Sequence, residues 1–165
     1  MTNEDRKRAV RDLFDELGIE YELVEHPPLF SREDNLKHSA NLGAVIFKHL
    51  FLRNADKSRY YMYSLPLEKR ADLSKLRAAL GESRFSFAGE DELFDKLNIR
   101  PGSVSLLNAV GKPDADVTFL IDAEILGVER FAAHPNDNSA TVIFSPREIP
   151  RIFDRRGAKH RFVES

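Results

Sequence analysis

Apolar residues recur at helical spacing near the start of the chain, where Val10, Leu13, Phe14 and Leu17 fall at i, i+3, i+4 and i+7. This predicts an amphipathic helix capped by Asn3, with Glu4 and Asp5 at the positive end of its dipole and Gly18 as its left-handed stop. A short strand over Tyr21 to Val24 then runs into His26-Pro27-Pro28, which cannot continue a ladder. Ser31 opens a second helix, with Asp34 three residues later, that ends near Gly43. From Val45 to Leu52 the pattern changes. Val45, Ile46, Phe47, Leu50, Phe51 and Leu52 set apolar groups on both faces of an extended segment, which predicts a strand in the middle of a sheet, covered on both sides. Residues 54–58 form a turn cluster and Tyr60 to Leu65 returns, so the pair reads as an antiparallel hairpin.

Asp72 caps a helix carrying Leu73, Leu76 and Leu80, closed by Gly81. Arg84 to Phe87 reads as a short strand, and Glu90 to Leu97 as a helix with Leu93, Phe94 and Leu97 inward. Pro101-Gly102 punctuates before a strand over Ser103 to Leu107. Further strands are expected at Val117 to Ile121, Arg130 to Ala133 and Thr141 to Phe144. Ser145-Pro146-Arg147-Glu148 is a helix start with Ser145 as cap, and Pro150 shortens or kinks that helix. There is no internal repeat and no linker. The expectation is one α+β domain over residues 1–165 with a mixed, largely antiparallel sheet.

A chain of 165 residues buries a real core without staples. Lys and Arg total 25 against 27 for Asp and Glu, which argues against coating nucleic acid by bulk charge but leaves room for a local basic patch. Cysteine is absent, which removes disulfides, thiolate catalysis, zinc–thiolate sites and iron–sulfur clusters together. No run reaches the ~18 apolar residues of a membrane span, and the charged start is no signal peptide, so no membrane partner and a cytoplasmic location are expected. Phosphate-loop, HExxH and GxSxG patterns do not occur, and nothing calls for a cofactor or metal. The segment 155–161 is locally basic and reads as a solvated end that could also assist contact with an RNA backbone.

Three features contradict their surroundings. Lys48 lies in the central strand on the same side as Ile46, Leu50 and Leu52, where it either snorkels to the sheet end or sets a cation at a pocket floor. His49 follows on the opposite face and by itself reads as a hydrogen-bonded core histidine. His134 enters the turn His134-Pro135-Asn136-Asp137-Asn138, a plain turn or the mouth of a site. Gly102-Ser103-Val104-Ser105 is a common turn whose backbone N–H groups could also be aimed at a ligand oxygen.

The order of these motifs, from Gly43 and Lys48-His49-Leu50-Phe51-Leu52-Arg53 through Tyr60-Tyr61 and Pro101–Ser105 to His134–Asn138 and Ala140-Thr141, resembles the YbaK/prolyl-tRNA-synthetase-associated editing domains, and most closely their free-standing prolyl-tRNA deacylases. The similarity runs over nearly the whole chain. It implies an α/β domain with a barrel-like mixed sheet flanked by helices. It also implies hydrolysis of the ester joining a wrong amino acid, typically alanine, to tRNA for proline. Lys48, Gly102 and His134 would then be the catalytic residues, with His49, Ser103, Val104, Ser105 and Asn136 binding substrate. In the family the lysine helps hold the terminal adenosine and ester, the glycine-loop amides position the carbonyl, and water attacks with help from a tRNA ribose hydroxyl. The implied partner is the 3′ aminoacyl end of tRNA, with a prolyl-tRNA synthetase or elongation factor gripping the rest, and no cofactor.

Two departures stand out. Phe47-Lys48-His49 replaces the family's Thr-Lys-Asn, and Leu106 follows Ser105 where the family has proline and then an aromatic-glycine pair. They open an alternative, a catalytically silent relative that binds an aminoacyl end, a nucleotide or a protein partner.

Overall fold

The computed structural model describes residues 2–112 and 114–164. Its strands are β1 (Tyr21–Glu25), β2 (Val45–Arg53), β3 (Tyr60–Pro66), β4 (Ser86–Phe87), β5 (Val117–Asp122), β6 (Phe131–Ala133), β7 (Ala140–Phe144) and β8 (His160–Val163). They form one sheet in the order β1-β7-β6-β2-β3-β5-β8, with β4 added to β2. The β1–β7, β6–β7, β2–β3 and β2–β4 pairs are antiparallel, whereas β2–β6, β3–β5 and β5–β8 are parallel. The mixed sheet and the 45–65 hairpin are therefore as the sequence predicts.

Helices α1 (Asn3–Leu17), α2 (Arg32–Leu42), α3 (Leu73–Leu80), α4 (Glu90–Leu97), α5 (Asn108–Gly111) and α6 (Ile149–Arg156) flank it. Side chains of Ser31 and Asp72 accept from backbone N–H groups at the starts of α2 and α3, as expected. Glycines 18, 43, 81 and 157 take the left-handed conformation that ends four helices.

Even and odd positions of β2 serve different layers, because successive side chains alternate across a strand. Phe47 and Phe51 join the larger core with Phe14, Phe119, Phe131 and Phe153. Leu50 and Leu52 pack with Tyr61, Tyr63, Leu65 and Leu76 on the other side. Coverage is incomplete at the strand's entry, where Val45 is half exposed, and around Lys48 to Leu50, which are partly buried.

Several expectations are corrected. Thr2, not Asn3, caps α1: its hydroxyl accepts from the Asp5 N–H, and the Asp5 carboxylate accepts from the Thr2 N–H at 2.9 Å. That reciprocal box needs an acidic residue three positions after the cap, and counting from Thr2 supplies it. Phe94 is exposed, with the Arg100 guanidinium 4.3 Å from its ring centroid. Residues 103–107 form no strand; side chains bond the local backbone there in place of a ladder. Ser145 makes no side-chain cap, and a 3₁₀ turn (Pro146–Glu148) precedes α6, whose first turn accommodates Pro150. Within the basic tail, residues 160–163 form β8, in parallel register with Phe119 to Asp122, while Arg155, Lys159 and Arg161 are exposed.

Candidate functional site

Parallel pairing of β2 with β6 lasts only two residues, Val45 with Phe131 and Ile46 with Ala132. Beyond it β2 stays bonded to β3, while β6 stays bonded to β7. A pocket of about 200 Å³ is lined by the residues on either side of this parting, Ile46 to His49 and Ala132 to His134. Arg32, Asn35 and His38 of α2, Leu67, the loop residues Gly102 and Val104, and Thr141 of β7 complete the lining. Helix α2 has no fully buried residue; Leu42 at its end packs against Ala44, Ala132 and Ile143, and Arg32, Asn35 and His38 face the pocket.

Lys48 lines this pocket, and its side-chain ammonium forms no hydrogen bond or ion pair with the described residues. Arg32, by contrast, is held at 2.8 Å by Glu68. His49 faces Ser64 in the β2–β3 register, with Nδ1 2.7 Å from the hydroxyl. Burial, with a smaller push from His134, lowers its pKa to about 3, so the ring is neutral at physiological pH.

His134 Nδ1 lies 2.9 Å from the Ala140 carbonyl, which can only accept. The proton is thus on Nδ1 and the neutral ring keeps a lone pair on Nε2. Burial lowers this pKa as well, the Ala140 contact opposes the shift, and His26 and His38 reinforce it.

The glycine loop is shaped by three asparagines. Gly102 has φ +91°, and a Cβ there would stand 3.2 Å from the Asn138 amide nitrogen. The Asn138 side chain accepts from the Leu29 N–H at 3.2 Å and donates to the Leu29 carbonyl at 2.8 Å, while its own N–H donates to the Ser103 hydroxyl. One residue, through its side chain and its backbone N–H, therefore ties the His-Pro-Pro segment, the glycine loop and the late turn together. Asn108, buried at the start of α5, accepts from the Ser105 N–H at 2.9 Å and donates to Asn136 Oδ1 at 2.9 Å and to the Ser103 carbonyl at 3.2 Å.

These bonds sort the loop's amides. The Ser103 N–H donates to the Arg100 carbonyl and the Ser105 N–H to Asn108, whereas the amides of Gly102 and Val104 bond none of the described residues. Two N–H groups from the pocket-lining residues thus remain for a ligand oxygen.

Of the predicted site residues, the structure brings Lys48, His49, Gly102, Val104 and His134 to one pocket. It places Ser103, Ser105 and Asn136 outside the lining: Ser103 supports Asn138, Ser105 is fully buried and accepts from the Leu107 N–H, and Asn136 (φ +64°) is buried against Asn108. Sequence reasoning missed Asn108, Asn138, His38 and Thr141. The second asparagine of the His134–Asn138 turn was the one available signal. Among the described residues no cluster of His, Asp or Glu suits a metal ion, and no helix is long and apolar enough to cross a membrane.

Comparison with known proteins gives this geometry a context. The chain is 34% identical over 160 residues to the prolyl-tRNA editing protein ProX of Acetoanaerobium sticklandii, covering 97% of this chain and 98% of that protein. It is 32% identical over 146 residues to the prolyl-tRNA synthetase associated domain-containing protein 1 of Xenopus laevis, covering 86% of each. The fold is shared with a crystal structure of the hypothetical protein APE2540 (TM-score 0.72, 19% identity, 92% of this chain and 96% of that one). It is also shared with a candidate trans-editing enzyme for prolyl tRNA synthetase (TM-score 0.70, 18% identity, 100% and 99%). The family model of the aminoacyl-tRNA editing domain matches residues 26–152, which include every lining residue of the pocket between β2 and β6, and the chain belongs to that family.

Proposed function

We propose that the protein is an aminoacyl-tRNA deacylase acting in trans on mischarged tRNA for proline, with the alanyl ester as its substrate. The observation that carries this reading is the pairing, in one small pocket, of an unengaged lysine with two unengaged backbone amides. The lining contains no cysteine or serine, and the hydroxyl of Thr141 is occupied by histidines. The attacking oxygen therefore comes from water, with a substrate ribose hydroxyl helping to place it. An activated ester needs little more than positioning and charge stabilisation.

Lys48 holds an oxygen of the terminal nucleotide or ester. The Gly102 and Val104 N–H groups receive the carbonyl oxygen as it becomes an oxyanion. The Nε2 lone pair of neutral His134 takes a proton from the attacking oxygen, and the ribose 3′ oxygen leaves with a proton, giving free amino acid and tRNA. A volume of about 200 Å³ is below the ~300–1,000 Å³ of drug-sized ligand sites and suits an aminoacyl group with the nucleotide outside. With a net charge of −2, the body of the tRNA is gripped by a synthetase or elongation factor, and the site works in the cytoplasm.

A panel of mischarged tRNAs tests the reading. Alanyl-tRNA for proline is hydrolysed well above the buffer rate, and Lys48→Ala removes most of that rate. Hydrolysis of no ester faster than in buffer, or an unchanged rate in the variant, defeats it.

A further inference from the structure

A second group of imidazoles adjoins the pocket and has no part in the chemistry above. His26 and His38 stand with ring centroids 4.4 Å apart, and His26 lies 6.0 Å from His134. The hydroxyl of Thr141 sits between the first two, 2.7 Å from His26 Nε2 and 3.2 Å from His38 Nε2.

The protons in this chain are determined by its far end. His26 Nδ1 is 2.8 Å from the carbonyl of Pro27, which can only accept, so Nδ1 carries the hydrogen. In the neutral ring Nε2 is then a lone pair, and it receives the single hydrogen of the Thr141 hydroxyl. With that hydrogen used, the contact to His38 must run the other way, and His38 donates from Nε2 to the threonine oxygen. The hydrogen of neutral His38 is therefore on Nε2, and its Nδ1 is a lone pair with no partner among the described residues. Burial and the neighbouring His26 both lower the His38 pKa, which keeps the ring neutral at physiological pH.

The pocket needs such an acceptor. An aminoacyl ester carries an α-ammonium group, a donor with a full charge, whereas the lining contains no Asp or Glu and includes Lys48 and Arg32. Building on the deacylase reading, we propose that His38 Nδ1 is the acceptor for the α-ammonium group of the aminoacyl ester, and that His26 and Thr141 are positioning residues that hold His38 in the required tautomer. His38 thereby selects aminoacyl esters over acyl esters that lack the amino group. Because α2 has no fully buried residue and His38 belongs to no core cluster, the ring can be replaced without opening the core.

The test measures binding of two uncleavable probes, 3′-alanylamido adenosine and its desamino counterpart, 3′-propionylamido adenosine. Wild type binds the alanyl probe about tenfold more tightly, the scale of one charge-assisted hydrogen bond. His38→Phe keeps the ring volume and loses the preference. His38→Asn, with an oxygen near the Nδ1 position, keeps part of it, and Thr141→Val reduces it by freeing the tautomer. A preference that survives in His38→Phe, or that wild type never shows, overturns the assignment. If the binding pattern holds but no mischarged tRNA is hydrolysed, the deacylase reading falls and the role of His38 stands. If wild type binds neither probe, both fall.

Discussion

Replacing Asn108 with alanine removes three hydrogen bonds at once, and the structure says what each loss leaves behind. The Ser105 N–H and Asn136 Oδ1 are both buried and lose the partners that Asn108 supplies. The Ser103 carbonyl loses a donor in a half-buried place. A buried polar group without a partner costs about 1–3 kcal/mol, so the two buried ones together predict a loss of roughly 2–6 kcal/mol. For a domain of this size each kcal/mol lowers Tm by about 2–4 °C, and the midpoint should fall by on the order of 10 °C. Urea unfolding at pH 7 measures the free energy directly. A double-mutant cycle with Asn136→Gly, which also relaxes the positive φ, isolates the pair, and the double variant should lose at least ~1 kcal/mol less than the sum of the singles. The same substitution loosens the loop that presents the Gly102 and Val104 amides, so deacylation should fall about tenfold or more at temperatures where the variant is fully folded. A destabilisation below ~1 kcal/mol, or additive single effects, would refute the view that this asparagine pair builds the loop.

Gly102→Ala forces a Cβ onto a left-handed φ and against Asn138; it should cost about 1–2 kcal/mol in urea unfolding and most of the deacylation rate, and an active, undiminished variant would contradict the loop geometry. Glu82 has a buried carboxylate, and although burial raises its pKa, bonds from Tyr61, Arg59, Ser83 N–H and Asn54 outweigh this and hold it at about 2. Its stabilisation is present above the unfolded carboxylate pKa and is lost as pH falls through about 2; Glu82→Ala should thus lower stability by about 2–4 kcal/mol at pH 7, measured by chemical denaturation. His49 has its folded pKa depressed to about 3, so the unfolded chain binds more protons than the folded one between about 6.5 and 3, and stability is lost as pH drops through that window. The slope from this residue is at most about 1.4 kcal/mol per pH unit, less because the ring retains some exposure; comparing wild type with His49→Asn at pH 7 and pH 5 should show a shallower dependence in the variant.

What could be read from the sequence was what adjacent residues decide. Ser31 and Asp72 cap because each lies three residues before the N–H it bonds, and Gly18, Gly43 and Gly81 stop helices because a glycine tolerates a positive φ. The strand carrying Lys48 announced itself by apolar residues on both faces. What escaped depends on distant partners. Residues 103–107 alternate like a strand, yet Ser105 and Asn108 take up backbone groups that a ladder would have used. Strand β8 exists because β5 offers it an edge, which no local pattern in 160–163 reveals. The His26–Thr141–His38 chain joins residues more than a hundred positions apart, and no spacing motif encodes it.

The parting of β2 and β6 bears on how such a pocket changes over time. Its capacity comes from two main chains that separate after two residue pairs, each anchored on its far side by another strand. Exchanging a wall side chain therefore alters what the cavity prefers while the room itself persists. Phe47 and His49, on either side of Lys48, line that room from within the β2–β3 register. Selectivity can drift from one acyl group to another by single substitutions, and the architecture places no barrier between them.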